Sequence, residues 1–426
     1  MDTKTITIPI IGASIAGLSI AHSLLSTNFK GIKIKILLIN PTPTFYWAIA
    51  APRILTKPTA FTESQYLIPI IDGFKKYSSD VFEFILGKAT SINFEEKILQ
   101  LEEYTNTTES EILPREIQYD YLVISSGSTP SASLGKIPGV TEDNDEKGEI
   151  YPFKLSPTST TTISEAIQSA QEIISSAKRI VVIGAGPIGV EIAGELGDLI
   201  PPSSTSTSNN GEKEGEKEIT LISATSRILP VLKESASSAA TSLLTQKGVK
   251  VLTDTKVVSV SSSGDNNRGY TLHLSNGDTL DTDIYIPTTG VIPNNSFIPK
   301  EVLDDHGWVK VDAELKVSGV EGVYAAGDIT NHTQKLSFKA EEMAGVVVGN
   351  LVNDINHTNG AGSRWWKGCG GGRKTYSEGT DVMMVVPVGI SGGTGQAFGW
   401  VLISFMVWLA KGRDYFIWKA RSYVHK

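Results

Sequence analysis

The sequence predicts an α/β fold with two strand–glycine–helix–strand units, followed by a C-terminal α+β domain. The first unit reads "ITIPIIGASIAGLSIAHSLLS", with "IKILLIN" as its next strand. The second reads "RIVVIGAGPIGVEIAGELGDL", with "EITLIS" after it. In both, a short apolar run predicts a buried parallel strand that leads through a glycine-rich turn into a helix. Such units are typical of Rossmann-like domains that bind dinucleotides.

Length and composition limit the classes of function. The chain has 426 residues, too many for one core, with an ordinary 40% of hydrophobic and 20% of charged residues. A net charge of −8 argues against a surface that coats nucleic acid. Cys369 is the only cysteine, which excludes an internal disulfide or redox dithiol and favours a reducing compartment.

The order of these segments predicts three domains. We expect residues 1–150 and 281–335 to form a discontinuous first domain, residues 151–280 a second and residues 336–426 a third. The polar, low-complexity stretch 201–218 is predicted to be a disordered insertion in the second domain. The N-terminus lacks a signal-peptide layout, so we expect a protein that is not secreted.

The second glycine turn (Gly184–Gly189) has the stronger fingerprint. Gly184, Gly186 and Gly189 follow a strand and precede a helix, which is the context that a dinucleotide site requires. The glycines allow a tight turn and close approach of a pyrophosphate, to which the helix N-terminus presents its N–H groups and dipole. The alternative is a plain strand-to-helix turn.

The first glycine turn (Gly12–Gly17) departs from the fingerprint at Ser14, where the middle glycine belongs. The serine hydroxyl can donate to a phosphate oxygen, and serine is tolerable provided that it needs no positive φ. The expected binding residues of this turn are Gly12, Ala13, Ser14, Ile15, Ala16 and Gly17.

Neither unit ends its second strand with the acid that usually holds a ribose. Asn40 occupies the position in the first unit and Ser223 in the second, with Arg227 nearby. An amide can still hydrogen-bond a diol, and loss of the acid permits a 2′-phosphate. The choice between NADH and NADPH therefore stays open, because Arg227 is also interpretable as a surface residue.

Three further segments place a strand before a turn of small residues. They are "DYLVISSGSTP" (120–130), "DIYIPTTGVIPN" (283–294) and "GVYAAGDIT" (322–330). The last positions Asp328, after Gly327, as a carboxylate beside the sugar chain of a nucleotide. A helix N-cap is the alternative role for Asp328.

Together these residues resemble the FAD-dependent pyridine nucleotide–disulfide oxidoreductase family. The resemblance assigns the first glycine turn and the pair Gly327–Asp328 to FAD, and the second glycine turn to NAD(P). It also implies an ATG-like turn at Ser125–Gly127, where Gly127 would bind a cofactor, and a second such turn at Thr288–Gly290. FAD and either NADH or NADPH are thus the implied cofactors, and no metal site is expected.

The ending "VGISGGTGQAFGWVLISFMVWLAKGRDYFI" is similar to that of the apoptosis-inducing-factor-like, mitochondrion-associated group, which includes the ferroptosis suppressor protein. In that group "TFYWAIAAPRIL" carries an FAD-binding arginine, here Arg53, and the backbone of Ala89 would contact the adenine. Ile390 and Ser391 replace an Arg-Asn pair beside the substrate tunnel. The SSG and TTG turns replace ATG, and the myristoylated glycine is missing. These departures concern the substrate and the membrane anchor.

The mechanism follows from the missing dithiol. No CxxC motif follows the first glycine turn, so electrons that leave the flavin must go directly to an external acceptor. NAD(P)H would pass hydride to the flavin, and a quinone would take the electrons. Lys335, near the start of a helix at about 335–336, would add positive charge at the flavin, or is only a surface lysine. Glu191, expected in the first helical turn, would contact the nicotinamide or ribose; the alternative is a carboxylate favoured by the helix dipole.

Three reactive side chains are not needed for this mechanism. His22 is interpreted as a helix residue that is packed near the surface of the first domain. His332 fits a proton relay or, preferably, a solvent-exposed loop histidine. Cys369 has no basic partner and is interpreted as a bystander.

The apolar run "AFGWVLISFMVWLA" (397–410) would be about 21 Å long as a helix, too short for a hydrocarbon core of about 30 Å. A basic aromatic tail follows it, with Lys411, Arg413, Tyr415, Phe416, Trp418, Lys419, Arg421, Tyr423 and Lys426. The pattern 397–426 predicts peripheral contact with a membrane, and a buried core helix or dimer contact fits equally well.

Four functions are compatible with these observations. The first is an FAD-dependent NAD(P)H oxidoreductase with a small-molecule, quinone-like acceptor. The second is a flavin enzyme for a specialised natural product. A DNA-interacting death effector is disfavoured by the net charge, so no nucleic-acid partner is expected. A scaffold without cofactor is the fourth. The expected location is the cytoplasm, or the periphery of a mitochondrial or other intracellular membrane, and the oligomeric state is open.

Overall fold

The computed structural model describes residues 5–29, 31–104, 112–135, 137, 139–142, 149–154, 162–201, 217–262, 269–358 and 372–426. Its strands are β1 (Thr5–Ile11), β2 (Lys33–Asn40), β3 (Thr44–Tyr46), β4 (Leu67–Pro69), β5 (Phe82–Asn93), β6 (Ile98–Tyr104), β7 (Ile112–Gln118), β8 (Leu122–Ile124), β9 (Ser128–Pro130), β10 (Thr141–Glu142), β11 (Arg179–Ile183), β12 (Glu218–Ile222), β13 (Lys250–Leu252), β14 (Val257–Ser262), β15 (Tyr270–Leu274), β16 (Thr279–Thr282), β17 (Ile284–Pro287), β18 (Val291–Pro293), β19 (Val323–Ala325), β20 (Met384–Pro387), β21 (Gly393–Ala397) and β22 (Trp400–Val401). Its α-helices are α1 (Ile15–Leu25), α2 (Ala51–Thr56), α3 (Glu63–Tyr66), α4 (Ile163–Ser176), α5 (Pro187–Gly197), α6 (Glu234–Gln246), α7 (Ser337–Thr358), α8 (Ser404–Val407) and α9 (Ile417–Val424). The predicted insertion 201–218 lies outside the described residues except at its ends, as does Cys369.

The first sheet has seven strands in the order β19–β8–β1–β2–β5–β6–β7. Pairing is parallel from β19 to β5 and antiparallel from β5 to β7. Ile8 and Ile10 of β1 have no exposed surface, as expected for a parallel sheet that is covered by other elements. Helix α1 packs against α7, so segments from distant parts of the sequence share this layer.

The second domain contains the parallel sheet β13–β12–β11–β17 and a second four-stranded sheet, β10–β14–β15–β16. It therefore extends beyond the expected bounds 151–280, because β10 and β17 lie outside them. Strand β11 leads through the second glycine turn into α5, just as β1 leads through the first glycine turn into α1. Both turns therefore lie at the carboxyl end of a parallel strand, where nucleotides bind in open α/β sheets. The predicted α/β fold with two Rossmann-like domains and a C-terminal α+β domain is confirmed.

The prediction of one continuous helix over 397–410 is wrong. Strand β21 ends at Ala397, and Phe398 and Gly399 turn the chain into β22 with φ values of 50° and 77°. Two central residues with positive φ form the kind of turn that closes a β-hairpin, and apolar composition alone does not distinguish such a hairpin from a helix. Helix α8 begins only at Ser404 and continues into a π-helical turn, Trp408–Gly412. Within the described ranges, no helix is both long and apolar enough to cross a bilayer.

Most of the basic aromatic tail is docked on the first domain. Tyr415 is fully buried, and its carbonyl accepts a hydrogen bond of 2.9 Å from the indole of Trp47. The ring of Tyr423 lies 5.7 Å from that of Trp47, and α9 packs against α1 and α3. Trp418, in contrast, is 63% exposed. The tail therefore buries most of its aromatic surface against protein.

Candidate dinucleotide and flavin site

The first glycine turn is as tight as its glycines predict. Gly12 has a φ of 101°, and a β-carbon there would collide with the carbonyl of Ser125. A β-carbon at Gly17 would collide with the carbonyl oxygen of Gly12, so helix α1 and strand β1 approach as closely as backbone allows. Ile15 and Ala16 begin α1. The turn thus has the geometry of a phosphate-binding loop.

Ser14 meets the condition that makes it compatible with this turn. Its φ is −107°, its side chain is exposed, and its hydroxyl does not cap α1. The neighbouring N–H of Ala13 donates to Oδ1 of Asn40 at 2.9 Å, and Nδ2 of Asn40 donates to the carbonyl of Thr42 at 2.8 Å. In this conformation the amide of Asn40 holds the turn against the end of β2, and its contact with a ribose stays a prediction.

The second glycine turn repeats this geometry. Gly184 has a φ of 110°, and a β-carbon at Gly189 would collide with the carbonyl oxygen of Gly184. Gly186 is the N-cap of α5, and in the described part of the chain no heavy atom lies within 4 Å of the position that its β-carbon would take. Among the described residues of α1 and α5, the first helical turns carry no acidic side chain. Both helix N-termini can therefore accept a pyrophosphate.

Two hydroxyl groups brace the glycine turns in the same way, and the sequence motifs alone did not reveal them. Ser125 Oγ donates to the carbonyls of Ile11 and Gly12 at 2.9 and 3.1 Å. Thr288 Oγ1 donates to the carbonyls of Ile183 and Gly184 at 3.1 and 2.7 Å. The signal was present as the hydroxyl residue that starts both the SSG and the TTG turn. We refer to Ser125 and Thr288 as the turn hydroxyls.

Asp328 lies beside the first glycine turn. Gly327 has a φ of 80°, and its β-carbon would lie 3.4 Å from the side chain of Ala16. Asp328 accepts hydrogen bonds from Ser128 Oγ at 3.0 Å and Lys154 Nζ at 2.5 Å. Burial alone would raise the pKa of Asp328, but these donors outweigh it and the pKa lies below its ordinary value. The N-cap alternative is excluded because α7 begins only at Ser337.

Lys335 precedes α7, but its ammonium group is engaged by protein. Lys335 Nζ donates to the carbonyl of Thr330 at 2.6 Å and lies 3.7 Å from the centre of the Trp308 indole ring. Burial lowers the pKa of Lys335 to about 8, so the side chain is mainly protonated at pH 7. Lys335 therefore supplies a positive charge close to Asp328, and the interpretation as a plain surface lysine is wrong.

Glu191 lies in the second turn of α5, not in the first, because the helix starts at Pro187. It is 4% exposed and forms an ion pair of 2.5 Å with Lys411 from the C-terminal domain. Burial raises the pKa of Glu191 above its ordinary value, although Lys411 opposes this shift. A buried, lysine-bound carboxylate is not explained by the helix dipole alone.

Arg53 is the centre of a buried network between the three domains. Its guanidinium donates to Glu195 at 2.8 Å and to the carbonyl of Arg413 at 2.9 Å. It also stacks over the ring of Tyr415 at 4.7 Å. Lys57 joins Glu195 to Asp198 with two contacts of 2.6 Å. In this conformation Arg53 bonds to protein groups, and its contact with FAD stays a prediction.

The remaining predicted positions are placed as follows. Ala89 lies in β5 at a register shift against β6 and is 4% exposed. Gly127 has a φ of 67°, and its carbonyl accepts a hydrogen bond of 3.1 Å from the N–H of Asn294. The guanidinium of Arg227 donates hydrogen bonds to the carbonyls of Leu232 and Pro230, both at 2.8 Å.

Of the two histidines, only His332 differs from its interpretation. His22 is packed in helix α1 and is 2% exposed, because the C-terminal segment covers this helix. His332 is partly buried with its ring edge-on to Tyr376, so it is not a solvent-exposed loop histidine.

Comparison with known proteins agrees with this geometry. The family model of the pyridine nucleotide-disulphide oxidoreductases matches residues 6–344. The chain belongs to this family. It is an FAD-dependent NAD(P)H oxidoreductase, with FAD and a nicotinamide dinucleotide as cofactors. The two glycine turns, the room at Gly186 and the partly buried Asp328 fit these two groups.

Individual relatives cover almost the whole chain. Oxidoreductase ptaL of Pestalotiopsis fici is 34% identical over 402 residues, 94% of each chain. Ferroptosis suppressor protein 1 of Xenopus tropicalis is 26% identical over 428 residues, 98% of this chain and 95% of the relative, which confirms the predicted group. The mitochondrial external alternative NADH-ubiquinone oxidoreductase of Yarrowia lipolytica is 24% identical over 370 residues, 84% of this chain and 61% of the relative. Among solved structures, NDH2 of Plasmodium falciparum with NADH has a TM-score of 0.70 and 15% identity, covering 99% of this chain and 97% of that one.

Proposed function

We propose that this oxidoreductase passes hydride from NAD(P)H to FAD and then electrons to an external acceptor of the quinone type. The observation that carries the proposal is the single cysteine, Cys369, since without a dithiol the electrons have no covalent relay within the chain. A relative whose name specifies ubiquinone supports the class of acceptor. When bound, the flavin supplies the hydride and electron chemistry.

In this proposal the residues of the chain bind the two cofactors, orient them and balance negative charge at the flavin. The first glycine turn holds the pyrophosphate of FAD, and Asp328 accepts hydrogen bonds from its sugar chain. The second glycine turn holds the pyrophosphate of the nicotinamide cofactor, and Glu191, fixed by Lys411, orients the nicotinamide end. Lys335 keeps positive charge near the flavin. Arg53, Asn40, Ala89 and Gly127 line the remainder of the proposed FAD site.

The choice of nicotinamide cofactor follows from Arg227. Its guanidinium would have to give up the carbonyls of Leu232 and Pro230 before it could bind a 2′-phosphate. We therefore expect NADH to be used at least as well as NADPH.

An exposed apolar patch fits contact with a lipid surface, where a lipophilic quinone would be found. The patch consists of Phe398, Trp400, Ile403, Phe405, Met406 and Leu409, each between 51% and 78% exposed. Lys233 lies beside it and donates to the carbonyl of Gly399. Apolar and aromatic side chains flanked by a cation are typical of interfacial contact with anionic lipid. We propose peripheral membrane binding through this patch.

Absorption spectra of the purified protein test the proposed function. We expect flavin bands at about 375 and 450 nm, anaerobic bleaching by NADH or NADPH, and recovery of the bands when a short-chain ubiquinone analogue is added. Gly186→Val is the matched variant, since it fills the second glycine turn and leaves the first one intact. It should keep the flavin bands and lose the bleaching.

Three results would contradict the proposal in different ways. Absence of flavin from the wild-type protein would favour a scaffold without cofactor. Bleaching without recovery by the quinone would favour a flavin enzyme for a specialised natural product. Bleaching of Gly186→Val at the wild-type rate would remove the second glycine turn from the nicotinamide site.

A further inference from the structure

Three buried polar atoms without a partner lie on two segments that contact each other, 332–334 and 376–378. They are His332 Nε2, Gln334 Oε1 and Tyr376 Oη, and none of the described residues hydrogen-bonds to them. Tyr376 is 7% exposed, and its ring centre lies 4.8 Å from that of His332 at an angle of 74°. Buried polar groups in native proteins nearly always have a partner, so such a group of three calls for a ligand or ordered water.

The cluster is held in place by contacts between its two segments. The hydroxyl of Thr333 donates to Glu378 at 3.1 Å, and the backbone N–H of Gln334 donates to the same carboxylate. The N–H of Tyr376 donates to the carbonyl of Ala313 at 2.7 Å. The unpartnered atoms are thus part of a well-bonded framework and do not result from loose packing.

The cluster also lies beside the proposed flavin site. Lys335 connects the two, because its Nζ donates at 2.6 Å to the carbonyl of Thr330, which stands two residues from both Asp328 and His332. Lys335 is itself fixed by Trp308 and by the carbonyl of Thr330. An acceptor bound at the cluster would therefore be next to the Asp328 end of the cofactor.

We propose that His332, Gln334 and Tyr376 form a polar subsite that holds an oxygen atom of the electron acceptor. The proposal rests on the function proposed above and assigns residues to its acceptor. The Tyr376 hydroxyl can donate to a quinone carbonyl, and the Gln334 amide oxygen can accept from the hydroxyl of the reduced acceptor. Burial lowers the pKa of His332, Glu378 opposes this and Lys335 reinforces it. The imidazole is thus mainly neutral at pH 7, a form that can donate or accept.

Tyr376→Phe in the flavin-loaded enzyme tests this subsite, with a short-chain ubiquinone analogue as the probe. We expect the dissociation constant and the KM for the quinone to rise about tenfold, the value of one lost hydrogen bond. The KM for NADH and the rate of flavin bleaching by NADH should not change. The Tm of the free enzyme should stay constant or rise slightly, because phenylalanine leaves no unpartnered hydroxyl buried.

Tyr119→Phe is the matched control. The Tyr119 hydroxyl is also buried without a partner, but it lies in the first domain, away from the cluster. Tyr119→Phe should show the same change in Tm as Tyr376→Phe. Its dissociation constant and KM for the quinone should equal those of the wild type. If both variants bind and reduce the quinone like the wild type, the cluster holds only water and the subsite is wrong, while the proposed function stands. If the wild-type enzyme neither binds nor reduces the quinone, both proposals are overturned.

Discussion

The two turn hydroxyls, Ser125 and Thr288, make equivalent hydrogen bonds at the two glycine turns. Each donates to two carbonyls at the point where a strand enters its glycine turn. Ser125→Ala should remove both hydroxyl hydrogen bonds, leave the carbonyl of Ile11 with the backbone N–H of residue 125 alone, and loosen the first glycine turn, the proposed FAD site. Because such losses amount to about 1–2 kcal/mol, we expect FAD to bind five- to thirty-fold more weakly. A fluorescence titration of the apoprotein with FAD measures this effect.

Thr288→Ala and Ser125→Ala are controls for each other. Thr288→Ala should raise the KM for NADH by a similar factor, while the FAD content stays at the wild-type level. Thr288→Ser keeps the hydroxyl and should restore the KM. If either alanine variant weakened the binding of both cofactors equally, the inference that each hydroxyl stabilises only its own glycine turn would be refuted.

Single residues also show the limit of sequence-based prediction. The glycines and Asp328 were predictable because a tight backbone turn and a carboxylate at a strand end leave a local pattern. The partners Lys154 and Lys411 were not, because they lie 174 and 220 residues from Asp328 and Glu191. Long-range ion pairs depend on how domains pack, and no spacing in the sequence encodes that.

The hairpin β21–β22 and helix α8 show a similar limit at the scale of elements. Their apolar character was predictable, but their division into hairpin and helix depends on the positive φ values of Phe398 and Gly399. As a result the apolar patch does not line one face of a helix. It extends over the hairpin turn and α8, where several large side chains project together into solvent.

The double variant Phe398→Ser/Trp400→Ser tests the patch. Insertion of each side chain into lipid is worth about 1.5–3 kcal/mol, so we expect binding to anionic phospholipid vesicles to fall at least tenfold. Co-sedimentation with vesicles measures this, and bleaching by NADH should stay normal.

Ile112→Ser/Leu113→Ser is the matched control, since Ile112 and Leu113 are 52% and 45% exposed on the edge strand β7. It should bind vesicles like the wild type. Equal loss in both double variants would mean general stickiness, and no loss in either would favour a protein partner at the patch.

At the scale of the whole molecule, buried charges join parts of the chain that the sequence pattern treats separately. Arg53 and Lys57 come from the first domain, Glu195 and Asp198 from the second, and the carbonyl of Arg413 from the third. A buried ion pair that loses one partner leaves an uncompensated charge, which costs about 3–5 kcal/mol. The network therefore joins three parts of the chain that are distant in sequence through buried, mutually compensated charges.

His22 joins the C-terminal segment to the first domain. Its Nε2 lies 2.9 Å from the carbonyl of Val424, and its ring stacks on Phe74 at 4.2 Å. Burial lowers the pKa of His22 from 6.5 to about 4. The folded protein thus holds this side chain neutral, while the unfolded chain takes up a proton below about pH 6.5. Its contribution to stability is complete above pH 6.5 and declines as the pH falls towards 4.

This linkage predicts a proton-coupled loss of stability in mild acid. Between pH 7 and pH 5 the His22 contribution to the free energy of unfolding should fall by about 2 kcal/mol. In His22→Asn the stability is lower at pH 7, but it should decline less over the same interval. Urea unfolding at a series of pH values measures both slopes. His357→Asn, at an exposed position of α7, should keep the wild-type slope. Identical slopes in wild type and His22→Asn would show that His22 protonates equally in the folded and unfolded chain, and that the C-terminal segment is not fastened through a neutral imidazole.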